Sequence, residues 1–168
     1  FECRISDADA SANSVFAGLV SLNGGGATTF DAYTAAYIQI DGGTLYTNRA
    51  LVGFQAAESA SVYGVVKDRG TADASAYQVS GSSTAIKSGA TMSAVATMAD
   101  DTFVKLGLYS DGKVIRWFVD NSEVANLAMG STELPSGDYD SSMVPVVAFN
   151  AAGTTLMQVD WCACGYLV

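Results

Sequence analysis

The chain holds no histidine, so neither a Ser-His-Asp nor a Cys-His nucleophile can be assembled from it. Chemistry would have to come from its acids, its three cysteines or its aromatic rings. Of its acids, the closest candidate pairs are Asp7 with Asp9, Asp100 with Asp101, and Asp138 with Asp140. Cutting a glycosidic bond needs two carboxyl groups facing each other across a sugar. None of the three pairs lies inside an alternating apolar pattern, and aspartates among Gly, Ser and Ala ordinarily form turns and stay solvated. A calcium ion needs six to eight oxygens. Asp7-x-Asp9 and Asp138-x-Asp140 each offer two, without the completing Gly and Glu. No catalytic residue and no metal site is therefore expected. Gly24, Gly25 and Gly26 could approach a phosphate, but no strand-loop-helix with Gly-Lys-Ser or Gly-Lys-Thr surrounds them. They read as a loop, and no cofactor is expected.

Cys3, Cys162 and Cys164 lie at the two ends of the chain. Positions 162 and 164 share a face of an extended segment but are too far apart along it for an easy mutual disulfide. If the first strand pairs with the last, Cys3 could reach either. The expectation is three small buried thiols packing as hydrophobes. A zinc site needs four Cys, His or carboxylate ligands, and none is expected. Trp117 and Trp161 could stack on sugars, yet both sit in alternating patterns where a ring normally packs inward. Ile115, Trp117 and Val119 define a core face, with Trp117 and Trp161 as structural posts. The opposite face carries Val114, Arg116 and Phe118; Arg116 and Phe118 are the candidate partner-facing residues. Tyr33, Tyr37, Tyr46, Tyr63 and Tyr77 are expected to pack in core and rim.

The elements that must position these residues are strands. Thr102 to Val119 reads as one long hairpin turning at Asp111-Gly112, and Leu156 to Ala163 reads as a closing strand. Phe1–Ile5, Ser14–Leu22, Ala36–Ile40, Leu45-Tyr46, Leu51–Ala56, Ser61–Lys67, Ala76–Val79 and Met92–Met98 supply further short candidates. Their spacing is that of sandwiches and barrels. One short helical turn is conceivable over Phe30–Ala36, with Asp31 as its cap. Leu134–Gly137 reads as a loop around Pro135. Pro145 interrupts an apolar run and marks that strand as an edge, or as starting after the proline. The predicted fold is all-β, an antiparallel two-sheet sandwich, as a single domain over residues 1–168.

Composition narrows the function classes. The 168 residues are 49% apolar and only 15% charged, against about 25% charged in an average domain. A surface poor in charge suits an extracellular particle or an assembled subunit. Eight basic residues against seventeen acidic ones give a formal charge of −9, which repels a phosphate backbone. The basic residues are scattered too, so nucleic acid is not an expected partner. No apolar run approaches the roughly 20 residues of a membrane span, so a soluble chain without a membrane partner is expected. It opens on Phe1, not Met, so a removed leader or preceding residues are expected.

The second half reads T-F-V-K-L-G-L-Y-S-D-G-K-V-I-R-W-F-V-D-N-S-E-V, then E-L-P, then M-V-P-V-V-A-F-N, then L-M-Q-V-D-W. The first half adds S-V-F-A-G-L, L-V-G-F-Q-A and V-Y-G-V-V-K. This scattered pattern, from about Phe16 to Trp161, resembles concanavalin-like jelly rolls of the laminin-G and lectin kind. It is similar in particular to tailed-bacteriophage virion proteins that coat or decorate the capsid. The chain lacks the E-x-D-x-x-E acids of sandwich glucanases and the calcium and Asn constellation of legume-type lectins. The resemblance therefore implies a non-enzymatic subunit on the capsid exterior of a virion. Its partner would be the major capsid protein, with the chain present as a homo-oligomer or in several copies per lattice position. A carbohydrate-binding, lectin-like module or adhesin is the alternative.

Overall fold

The computed structural model describes residues 1–21, 51–56, 59–67, 77–80, 84–87, 94–111, 113–128, 143–150 and 156–165. Twelve strands occupy these stretches: β1 (Glu2–Asp7), β2 (Ser14–Ser21), β3 (Leu51–Ala56), β4 (Ser61–Lys67), β5 (Tyr77–Ser80), β6 (Thr84–Lys87), β7 (Ala96–Thr97), β8 (Val104–Ser110), β9 (Val114–Val119), β10 (Ser122–Ala128), β11 (Met143–Asn150) and β12 (Met157–Ala163). They form two antiparallel sheets. One runs β10-β9-β8-β1-β12; the other runs β11-β2-β3-β4-β5-β6, with β7 added beside β4. The chain crosses repeatedly between the sheets, so the first strand lies between β8 and the last strand. This is the antiparallel two-sheet sandwich that the strand pattern predicts. Among the described residues no helix is long and apolar enough to cross a membrane.

Two turns set the register of β8, β9 and β10. Asp111 Oδ1 accepts the backbone N–H groups of Lys113 and Val114, both at 2.8 Å, so its side chain closes the β8–β9 connection. Gly112 lies outside the described residues. The β9–β10 turn is made by Asp120 and Asn121, with φ of 48° and 69°. Positive φ at both central positions matches the twist of a tight hairpin, and Asp and Asn are the non-glycine residues that tolerate it best. Strands β10 and β6 did not stand out in the sequence, and of the Met92–Met98 candidate, whose first two residues lie outside the described ones, Ala96 and Thr97 form β7. Pro145 sits in β11 opposite Leu19, and among the described residues β11 is an edge strand, where a missing N–H leaves no neighbour unpaired.

Between the sheets lies one core, containing Ile5, Phe54, Val62, Val66, Leu106, Leu127 and Trp117. Trp117 is fully buried, and its indole N–H donates to the Gly53 carbonyl oxygen at 2.7 Å across the sandwich. Gly53 must remain glycine because a Cβ there would stand 2.6 Å from the Ala17 carbonyl oxygen and 2.9 Å from the Phe16 ring. A second cluster of Phe16, Val20 and Val65 covers the opposite face of the β2–β4 region. That sheet is buried on both sides there. The five-stranded sheet keeps an open outer face.

Two expectations need correcting. Trp161 is not a core post: it stands opposite Arg4, half-buried on the outer face, with the Lys105 ammonium 5.6 Å from its ring centre. The register shifts between Arg4 and Ile5, opposite Asp160, and such a bulge at an edge re-aims the side chains beside it. Nor are the three thiols all buried: Cys3 is, while Cys162 and Cys164 are exposed, because among the described residues β12 has a neighbour on one side only. Ala36–Ile40, Leu45-Tyr46, Phe30–Ala36, Gly24–Gly26, Leu134–Gly137, Asp138, Asp140, Tyr33, Tyr37 and Tyr46 lie outside the described residues.

Candidate functional site

Alternation along β8 decides what the open face presents. Val104, Leu106 and Leu108 point to the core, which leaves Lys105, Gly107 and Tyr109 on the outer face. Across the sheet, Glu2, Gly107, Phe118 and Glu123 fall in one row, and Trp161, Arg4 and Lys105 in the next. Glycine in the middle of the first row leaves a hollow between Glu2 and Phe118. A Cβ at 107 would meet the Phe118 Cβ at 3.5 Å and the Glu2 Cγ at 3.6 Å, both ordinary contacts. The resulting groove has a volume of about 500 Å³ and is lined by Glu2, Lys105, Tyr109, Phe118 and Asn121 among others.

Its polar groups are held in place by one another. Lys105 Nζ donates to Asn121 Oδ1 at 2.8 Å and pairs with Glu2 Oε2 at 3.2 Å. Asp120 Oδ1 accepts the Lys105 backbone N–H at 3.0 Å, so the turn that begins β10 also fixes the lysine's backbone. Farther along the same face, Arg4 pairs with Asp160 at 2.6 Å and stacks over the Phe103 ring, 4.4 Å from its centre. Arg116, a candidate partner-facing residue, donates to both carboxylate oxygens of Glu123, at 3.1 and 2.9 Å. The Asn126 amide, with Arg116 after it, holds the Glu123 carboxyl below its ordinary range. Arg116 is thus a positioned cation. Phe118, the other candidate, forms a wall of the groove.

The paired acids meet in an unexpected way. Asp7 is buried at the end of β1, with Oδ1 accepting the Asn13 amide at 2.6 Å and the Asp9 backbone N–H at 3.0 Å. It is not the solvated loop charge that its neighbours suggested. The Asp7 carbonyl accepts the Asp101 N–H at 2.7 Å, and Asp100 Oδ1 accepts the Ala10 N–H at 2.9 Å. These acids therefore lock two connections together at one end of the sandwich. Among the described residues no group of three or more Cys, Asp or Glu side chains could hold a metal ion.

Sequence reasoning placed Arg116 and Phe118 on the outer face and missed the rest of the groove. The period-two pattern K-x-G-x-Y at 105–109 was the available signal, because it puts a cation, a gap and a ring in line.

No family model matches the chain, and no curated protein matches it. Twelve chains of solved structures are similar, among them two polysaccharide-related enzymes. A beta-glucanase of Bacillus licheniformis shares 12% identity over 91% of this chain and 53% of its own, with a TM-score of 0.40. The kappa-carrageenase of Pseudoalteromonas carrageenovora, in complex with an oligotetrasaccharide of kappa-carrageenan, shares 12% identity over 95% of this chain and 60% of its own, with a TM-score of 0.46. The likeness is one of strand arrangement. The chain spans less than two thirds of the length of either enzyme.

Proposed function

We propose that the chain is a non-enzymatic binding subunit that docks on a larger assembly, and that this assembly is a bacteriophage capsid whose major capsid protein it decorates from outside. The observation that carries this reading is the uncovered edge of the five-stranded sheet. Among the described residues β12 pairs with β1 alone, so its other side offers backbone N–H and C=O groups to a second chain. Val159 on β12, Leu156 just before it and Phe149 on the edge strand β11 are large apolar side chains left in solvent, 45%, 70% and 46% exposed. An interface covering them would gain stability with each copy bound, and lattice expansion would first have to break those contacts.

The test is a count. Purified particles analysed by quantitative mass spectrometry are expected to hold the chain at a fixed ratio to the major capsid protein, and Val159→Lys should be retained poorly. Particles with no copies, or one or two, would sink the reading.

The groove favours a second reading, a carbohydrate-binding module. Phe118 and Tyr109 offer ring faces beside Glu2, Lys105 and Asn121, a combination that can stack on a sugar and bond its hydroxyls. A glycan array separates the two: specific binding lost on Phe118→Ala, with folding intact, would support the module.

A further inference from the structure

We propose that Cys162 and Cys3 form a site of thiol–disulfide exchange, at which a low-molecular-weight disulfide oxidises the pair to a cross-strand disulfide that staples β12 to β1. The two residues stand directly opposite each other in the antiparallel register. Such partners have Cα atoms about 4.5–5.5 Å apart and side chains on one face, within the roughly 4.4–6.8 Å that a disulfide spans. Cys164 lies two residues on, about 6–7 Å along the chain from Cys162 in extended backbone, and beyond the end of the β1–β12 pairing.

Exposure sets the order of events. Cys162 is open to solvent and Cys3 is wholly buried, so the reagent must enter at Cys162. The Cys162 thiolate attacks one sulfur of the small disulfide RSSR, giving a Cys162–S–S–R mixed disulfide and releasing RS⁻. The Cys3 thiolate then attacks the Cys162 sulfur, forming the Cys3–Cys162 bond and expelling the second RS⁻. The two protons lost by the protein thiols end on the two RS⁻ groups, so two thiols are oxidised and one RSSR becomes two RSH. Burial pushes the Cys3 thiol up to about 12, with the neighbouring Cys162 adding to the shift, and burial raises Cys162 as well. Since thiolates are the attacking species, the reaction is slow near neutrality and quickens with pH.

The experiment incubates the full chain with oxidised glutathione at pH 7 and pH 9, alkylates free thiols, and maps disulfides by mass spectrometry of a non-reduced digest. A Cys3–Cys162 linkage within one chain is expected, with Cys164 alkylated, faster formation at pH 9, and a higher melting temperature that dithiothreitol reverses. Cys164→Ser should form the same linkage, and Cys162→Ser should leave Cys3 unmodified. A Cys162–Cys164 linkage, a persistent glutathione adduct at Cys162, or linkage only between chains would overturn the proposal. The decisive mapping uses the unmutated chain, so it does not depend on any variant folding.

Discussion

The two tryptophans show how far one residue type can differ in role. Trp117 fills the centre of the sandwich and satisfies the Gly53 carbonyl. Removing it would leave both a cavity and a buried acceptor without a donor, so Trp117→Ala is expected to lower unfolding free energy by about 3–5 kcal/mol in a denaturant titration. Trp161 lies half-buried on the outer face against Lys105, where such a contact contributes roughly 0.5–1 kcal/mol. In the same titration Trp161→Ala should cost far less than Trp117→Ala. The alternating pattern around the two rings is alike, so the sequence could not separate them; the bulge at Asp160 and the position of β12 at the edge of the described sheet do. Cys3 adds a pH signature. Its thiol is raised from 9.0 to about 12 in the fold, so the neutral form is favoured there. The stabilisation is complete below pH 9 and is lost, at about 1.4 kcal/mol per pH unit, as pH rises toward 12. Alkaline unfolding curves should show that decline, and Cys3→Ala should flatten it.

At the scale of elements, β8, β9 and β10 act as one platform, and their turns are the sensitive points. Asn121 holds a φ of 69°, a conformation glycine adopts freely and a β-branched residue does not. Asn121→Gly should keep the hairpin, whereas Asn121→Val should destabilise the protein by about 1–2 kcal/mol; thermal melts of the two variants decide the matter. Gly107 is different, because a Cβ there meets only ordinary contacts. Gly107→Leu should therefore fold with a near-native melting temperature while filling the groove, and any ligand held there should be lost. The β8–β9 hairpin was legible from its alternation and from Asp111. Strand β10 was hidden because S-E-V-A-N-L-A carries polar residues on its open face, and its turn lacks the glycine that usually advertises one.

Across the whole molecule, charge and edges matter more than any single contact. The Asp111 carboxyl is held down mainly by the Lys113 N–H, with the Val114 N–H next, and Glu123 by the Asn126 amide and Arg116. Lowered carboxyl values stabilise the fold above the ordinary carboxylate range, and that contribution is lost as pH falls through the lowered values. Acid titrations followed by circular dichroism should show this loss, and the double variant Asp111→Asn with Glu123→Gln should titrate with a shallower slope. From the sequence alone came the strand periodicity, the core face of Ile115 and Trp117, the edge marked by Pro145 and the lack of histidine, because each is written in residue type or in spacing along one strand. Tertiary structure alone decided which strands lie side by side. That pairing sets Cys3 opposite Cys162, turns Trp161 outward and brings Glu2 beside Gly107 and Phe118 as a groove, since β1 meets β8 and β12 across about a hundred residues or more of chain and no local pattern records those pairings.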